Sequence, residues 1–139
     1  MLLPHGTMFA LVDGENFELY RNAGKEASPE LTAVDVPDLA PTNYSAGMKD
    51  HDAGSRYPAN PKDRTSRLDE AAHVAAVTDW LNKQAMENHM DKLVVIADPK
   101  SLGEMRRHYH KTLEATILEE VPKTLTGRSG PEIVAALRA

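Results

Sequence analysis

Two aspartates each stand at the end of an apolar run. Asp13 follows Thr7-Met8-Phe9-Ala10-Leu11-Val12, and Asp98 follows Leu93-Val94-Val95-Ile96-Ala97. Short apolar runs bounded by turn residues read as strands buried on both faces. If the two strands are adjacent and parallel, both carboxylates reach the same edge of a sheet. Carboxylates gathered there could hold Mg²⁺ for phosphodiester hydrolysis, with Asp69 or Glu70 as a further ligand. The plainer alternative is a turn role, since Asp before Gly14 and Asp before Pro99 are common turn pairs.

A second group follows Asp98 directly: Pro99-Lys100-Ser101-Leu102-Gly103-Glu104-Met105-Arg106. Pro99 ends the strand, and Ser101 with Glu104 fits a capping box that starts a helix at Leu102. Ligands of α/β sheets gather at the carboxyl ends of strands, where helix N-termini offer N–H groups and partial positive charge. Lys100, Ser101, the amides of Leu102 and Gly103, and Arg106 therefore form a candidate anion-binding corner. Gly103 has no side chain, so a ligand could approach the backbone closely. The alternative is ordinary wiring, with Gly103 packed on a neighbour and Arg106 paired with an acidic residue.

Other chemistries are excluded or unsupported. There is no Cys, hence no disulfide, thiol nucleophile or Cys-ligated zinc. His108 and His110 are two apart, which on a helix points them to different faces. His51 sits between Asp50 and Asp52 without defined geometry. No nucleophile elbow, P-loop or dinucleotide fingerprint occurs. A formal net charge of −5 argues against coating nucleic acid by bulk charge, though a local basic patch is allowed. The start shows no basic region followed by an apolar run, and no stretch suits a bilayer, so the expected location is cytoplasmic, without membrane insertion.

The elements that must position these groups follow from patterning. The chain of 139 residues has room for one domain with a real core. The first strand turns at Asp13-Gly14-Glu15-Asn16 into the alternating Phe17-Glu18-Leu19-Tyr20-Arg21. A third strand is expected over 31–36, completing an antiparallel meander. Residues 37–65 hold four Pro, two Gly and few aliphatics, a long polar loop whose 44–64 part is expected to be mobile or ordered by a partner. Ser66 with Asp69 marks the start of a helix to about His89, with Ala71, Val74, Val77, Leu81 and Ala85 as its core stripe. The Leu93–Ala97 strand and the Leu102 helix follow. Residues 115–121 are read as a fifth strand, although they could extend that helix. Ser129-Gly130-Pro131-Glu132 opens a final helix with Ile133, Val134 and Leu137 inward. The order β-β-β-α-β-α-β-α predicts an α/β, ribonuclease-H-like mixed five-stranded sheet with the first and fourth strands adjacent.

Leu3-Pro4-His5-Gly6-Thr7 before a strand ending Val12-Asp13-Gly14, then Arg21-Asn22, then Pro99 to Arg106, then Leu125-Thr126 before a helix, resemble the bacterial host-attachment protein family. The likeness runs over nearly the whole chain. That family is similar in fold to the middle domain of archaeal and eukaryotic class-1 translation release factors, which has the same element order. In release factors the loop between third strand and first helix carries Gly-Gly-Gln, which enters the peptidyl-transferase centre. Residues 37–65 hold no Gly-Gly-Gln, only Ala46-Gly47-Met48 and Ala53-Gly54-Ser55.

The resemblance thus implies a non-catalytic release-factor-like domain binding RNA, a ribosome or another anionic partner, with no cofactor. The residues leave two further readings: a Mg²⁺-dependent nuclease using Asp13 and Asp98, or an adhesion-related regulator acting through protein contacts alone.

Overall fold

The computed structural model describes residues 3–37, 39 and 61–138. Strands β1 (Met8–Val12), β2 (Phe17–Asn22) and β3 (Leu31–Val34) form the meander. Helix α1 (Pro61–Met86), strand β4 (Leu93–Ala97) and helices α2 (Pro99–Arg106) and α3 (Lys111–Thr116) follow. Strand β5 (Ile117–Val121) and helix α4 (Gly130–Arg138) close the chain. The sheet runs β3-β2-β1-β4-β5, with β1 and β4 parallel and in register from Met8 opposite Leu93 to Val12 opposite Ala97. That is the mixed five-stranded, ribonuclease-H-like order expected. β4 is buried at every position and lies between β1 and β5, as its unbroken apolar run requires.

Several boundaries differ from the sequence expectation: β3 ends at Val34, α1 ends at Met86, β5 starts at Ile117, and three further differences concern helix starts. α1 begins at Pro61, so Ser66 lies inside the helix rather than at its cap. α2 is capped by Asp98, not by Ser101; the Asp98 carboxylate accepts from the Ser101 amide at 3.0 Å, and Pro99 takes the first helical position. Pro suits that position because its missing N–H would be unpaired there anyway. α3 is an addition, making the order β-β-β-α-β-α-α-β-α. Its cap is the His110 side chain, which accepts from the Thr112 amide. The capping box of α4 is realised, with Ser129 and Glu132 bonded reciprocally. Residues 40–60, with Tyr44, Tyr57 and His51, lie outside the described residues.

One face of the sheet is covered by α1, α2 and α3. Val74, Val77, Leu81 and Ala85 of α1 join Leu102, Met105 and Leu113 over Ala10, Leu19, Leu93 and Val95. Trp80 closes this layer edge-on to Phe17, ring centroids 5.7 Å apart. The other face is covered by α4 and Leu3, with Ile133 and Leu137 over Phe9, Leu11, Val94 and Ile96. Burying each such side chain stabilises the fold by roughly 1.5–3 kcal/mol, so both layers are needed to hold the sheet's edge in place.

Asn22 ties the N-terminal segment to the meander. It is fully buried, donates to the carbonyls of Leu3 (2.8 Å) and Pro4 (3.3 Å), and accepts from the amides of Gly24 (2.9 Å) and Glu30 (3.0 Å).

Candidate functional site

Because β1 and β4 run parallel in register, Asp13 and Asp98 leave the sheet side by side. Both line a cleft of about 360 Å³ beyond the strand ends, between the Gly14 turn, α1 and α2. The cleft is acidic. Among the described residues Asp13, Glu15, Glu70, Asp98 and Glu104 line it, against the ammonium of Lys100. Ala71 and Val74 supply its apolar lining. Glu70 leans over the turn where Gly14 has no side chain; a Cβ there would overlap its carboxylate. From that position Glu70 also meets Lys100 at 3.7 Å.

The two aspartates are occupied by the protein itself. Asp13 Oδ1 accepts from the amides of Glu15 (2.8 Å) and Asn16 (2.6 Å), which shapes the turn. Asn16 Nδ2 reaches both carboxylate oxygens at 3.1 Å. The Thr126 hydroxyl donates to Oδ2 at 2.6 Å, from the far end of the chain. Partial burial pushes the Asp13 carboxyl up, but the bonds from Thr126, Glu15 and Asn16 outweigh it and hold it below the ordinary aspartate range. Gly127, at φ +82°, donates its amide to Glu18 at 2.9 Å and fastens the same loop to β2.

The α2 corner is likewise internally matched. The amide of Ser101 points to the Asp98 carboxylate and that of Leu102 to the Asp98 carbonyl (2.9 Å). The Ser101 residue is buried. Gly103 is exposed, and a Cβ there would meet nothing within 4 Å, so it does not pack on a neighbouring element. Arg106 makes a two-pronged contact with Glu120 on β5, Nη2 to Oε1 at 2.7 Å and Nε to the same oxygen at 3.1 Å. Tyr109 donates its hydroxyl to the other Glu120 oxygen at 2.7 Å. The Arg106 contact holds Glu120 below the usual carboxylate range despite partial burial. Burial, then the bond to Glu120, pushes the Tyr109 phenol well above its ordinary value. Of the expected corner, the side chains of Lys100 (67 % exposed) and Arg106 (57 % exposed) reach solvent, each beside a carboxylate.

Asp13 and Asp98 already serve the fold. The oxygens of Asp13 are turned to five donor contacts, and Asp98 serves as a helix cap. Among the described residues no group of three or more His, Asp or Glu is placed to hold a metal. The co-location of the two aspartates follows the sequence reading.

Sequence reasoning named Asn22 and Thr126 only within the family resemblance, without a bonding role, and missed Glu120. An Asn inside a strand is disfavoured, and that was the available signal for Asn22. Thr126 and Glu120 act across long separations and left no local pattern.

Comparison with protein families gives a match. The chain fits the family described as bacterial archaeo-eukaryotic release factor family 12 over residues 6–137. No curated protein matches it. Among the described residues no helix is long and apolar enough to cross a membrane.

Proposed function

The chain belongs to that release-factor family, and from this we propose that it is a non-catalytic release-factor-like domain that associates with a ribosome or other RNA. The observation that carries the reading is the family match over nearly the whole chain, joined to a sequence with no Gly-Gly-Gln. In release factors, to which the sequence is similar, that motif lies between the third strand and the first helix. Here the corresponding connection joins β3 to α1. The domain keeps the scaffold and lacks the tripeptide, so binding without peptide release is the function it supports. Attachment to host cells, if it follows, is a consequence further downstream of that binding.

An RNA partner must be met by local positive charge, because the chain is acidic overall. Within this reading Lys100 makes a phosphate contact by giving up Glu70, and Arg106 makes one through Nη1, the guanidinium nitrogen not turned to Glu120. Surface ion pairs are worth about 0–1 kcal/mol, so a phosphate can displace such a partner. The Ser101 and Leu102 amides stay within the helix cap.

The test is co-sedimentation with purified ribosomes over a salt series, with a ribonuclease-treated arm. Binding that weakens steeply with salt and is lost after ribonuclease is the expected result. Lys100→Ala with Arg106→Ala should weaken binding and flatten its salt dependence while the fold stays intact. No labelled peptide should leave stalled ribosomes. Absence of association even at low salt, or peptide release by the purified protein, overturns the proposal.

A further inference from the structure

We propose that the outer edge of β5 is a docking strand for an extended, basic segment of a partner protein. β5 ends the sheet, and among the described residues no strand pairs with its outer edge; its two ends are tied locally, the Ile117 N–H to the Glu114 carbonyl and the Val121 carbonyl to the Lys123 N–H (2.9 Å). An open edge is a template for strand addition unless something blunts it. Here the edge is irregular in a particular way. Leu93 lies opposite Ile117 and Val94 opposite Glu119, so Leu118 is an extra residue at a bulge. Bulges re-aim side chains, and Leu118 is 52 % exposed. Beside it lies a depression of about 270 Å³ lined by Tyr109, Glu114, Ile117, Leu118, Glu119 and Glu120.

The chemistry of that depression selects the occupant. Glu120 is satisfied by Arg106 and Tyr109. Among the described residues Glu114 and Glu119 have no cation within 4 Å. A lysine or arginine entering beside the Tyr109 ring would meet both carboxylates, and an apolar residue further along the same strand would cover Leu118. A nucleic acid would be repelled by the same glutamates. A second copy paired edge to edge would bring Glu119 and Glu120 against like charges. Edge charges can also serve only to prevent aggregation. A purely protective edge gains nothing from an outward leucine, which favours docking. The inference does not depend on RNA association.

The experiment titrates a short peptide of alternating lysine and valine into the isotope-labelled whole chain and follows amide shifts. The expected result is saturable shifts confined to β5, Tyr109 and the start of α3. Glu114→Lys with Glu119→Lys should weaken binding about tenfold or more, since like charges then face each other. Glu114→Gln with Glu119→Gln should weaken it less, in the same direction. A peptide with glutamate in place of lysine should not bind. The proposal is overturned by no binding of the basic peptide, by shifts elsewhere, or by equal affinity of the charge-altered variants. It is equally overturned if an oligonucleotide, or self-association with no peptide present, produces the β5 shifts instead.

Discussion

Replacing Asn22 by alanine should be the most damaging single polar-to-alanine change in the β1–β2–β3 meander. The side chain is fully buried and makes four hydrogen bonds, two given and two received. Each is worth about 0.5–1.5 kcal/mol net, and a buried group left without its partner costs about 1–3 kcal/mol. The bonds to Gly24 and Glu30 are only partly buried, so water can replace some of that loss. The expected cost of Asn22→Ala is therefore about 2–4 kcal/mol, most of it from stranding the Leu3 carbonyl. With a mid-range urea slope of about 2 kcal/mol per M, the unfolding midpoint should fall by roughly 1–2 M. Asn22→Asp adds a sharper test. It sets a carboxylate oxygen against the Leu3 and Pro4 carbonyls, which raises the new carboxyl's pKa above its unfolded value. The charge penalty should be absent well below about pH 4 and grow as pH rises above it. A cost under about 1 kcal/mol for alanine, or a pH-independent cost for aspartate, would refute the reasoning.

Gly103→Ala should stabilise the protein by about 1 kcal/mol, because the site is mid-helix and open; a lower thermal midpoint would reveal a contact. Gly24→Ala should cost about 1–3 kcal/mol, since a Cβ would stand 2.5 Å from the Ser28 carbonyl oxygen and 2.8 Å from the Glu30 amide, both backbone; an unchanged urea midpoint contradicts this. Asp13 has a depressed folded pKa, so its contribution is complete above the unfolded value of about 3.9 and is lost as pH falls below it. Thr126→Val should shrink that acid-limb loss, and identical pH–stability curves for the two proteins would contradict the role given to the 2.6 Å bond.

The strand order was legible because apolar periodicity and length determine it: an unbroken apolar run such as Leu93–Ala97 has no stable place except between two strands. The same logic brought Asp13 and Asp98 together before any contact was known. Helix starts were less legible, because two cap signals competed. Asp98 and Ser101 both suit a cap, and Pro99 at the first helical position decides for Asp98. α3 escaped because six residues carry little period and its cap is a histidine. The site's chemistry was least legible. Whether an aspartate is free to act depends on which donors reach it, and Thr126 reaches Asp13 from 113 residues away.

That distinction bears on what the fold is used for. The strand-end cleft is where an α/β sheet ordinarily meets its ligand. Here its two central carboxylates hold a turn and a helix cap, and the Thr126 loop is fastened to one of them. Groups used this way give rigidity to the strand ends. Among the outward charges are Lys100 and Arg106 on α2, each beside a carboxylate, and Glu114 of α3 with Glu119 of β5. On the two proposals above, the first pair meets phosphates and the second a basic protein segment. A ribonucleoprotein has both. The α2 cations and the β5 edge can then be separated experimentally: loss of the first should lower the salt dependence of binding, while reversal of the second should lower affinity for basic peptide and leave RNA affinity no weaker.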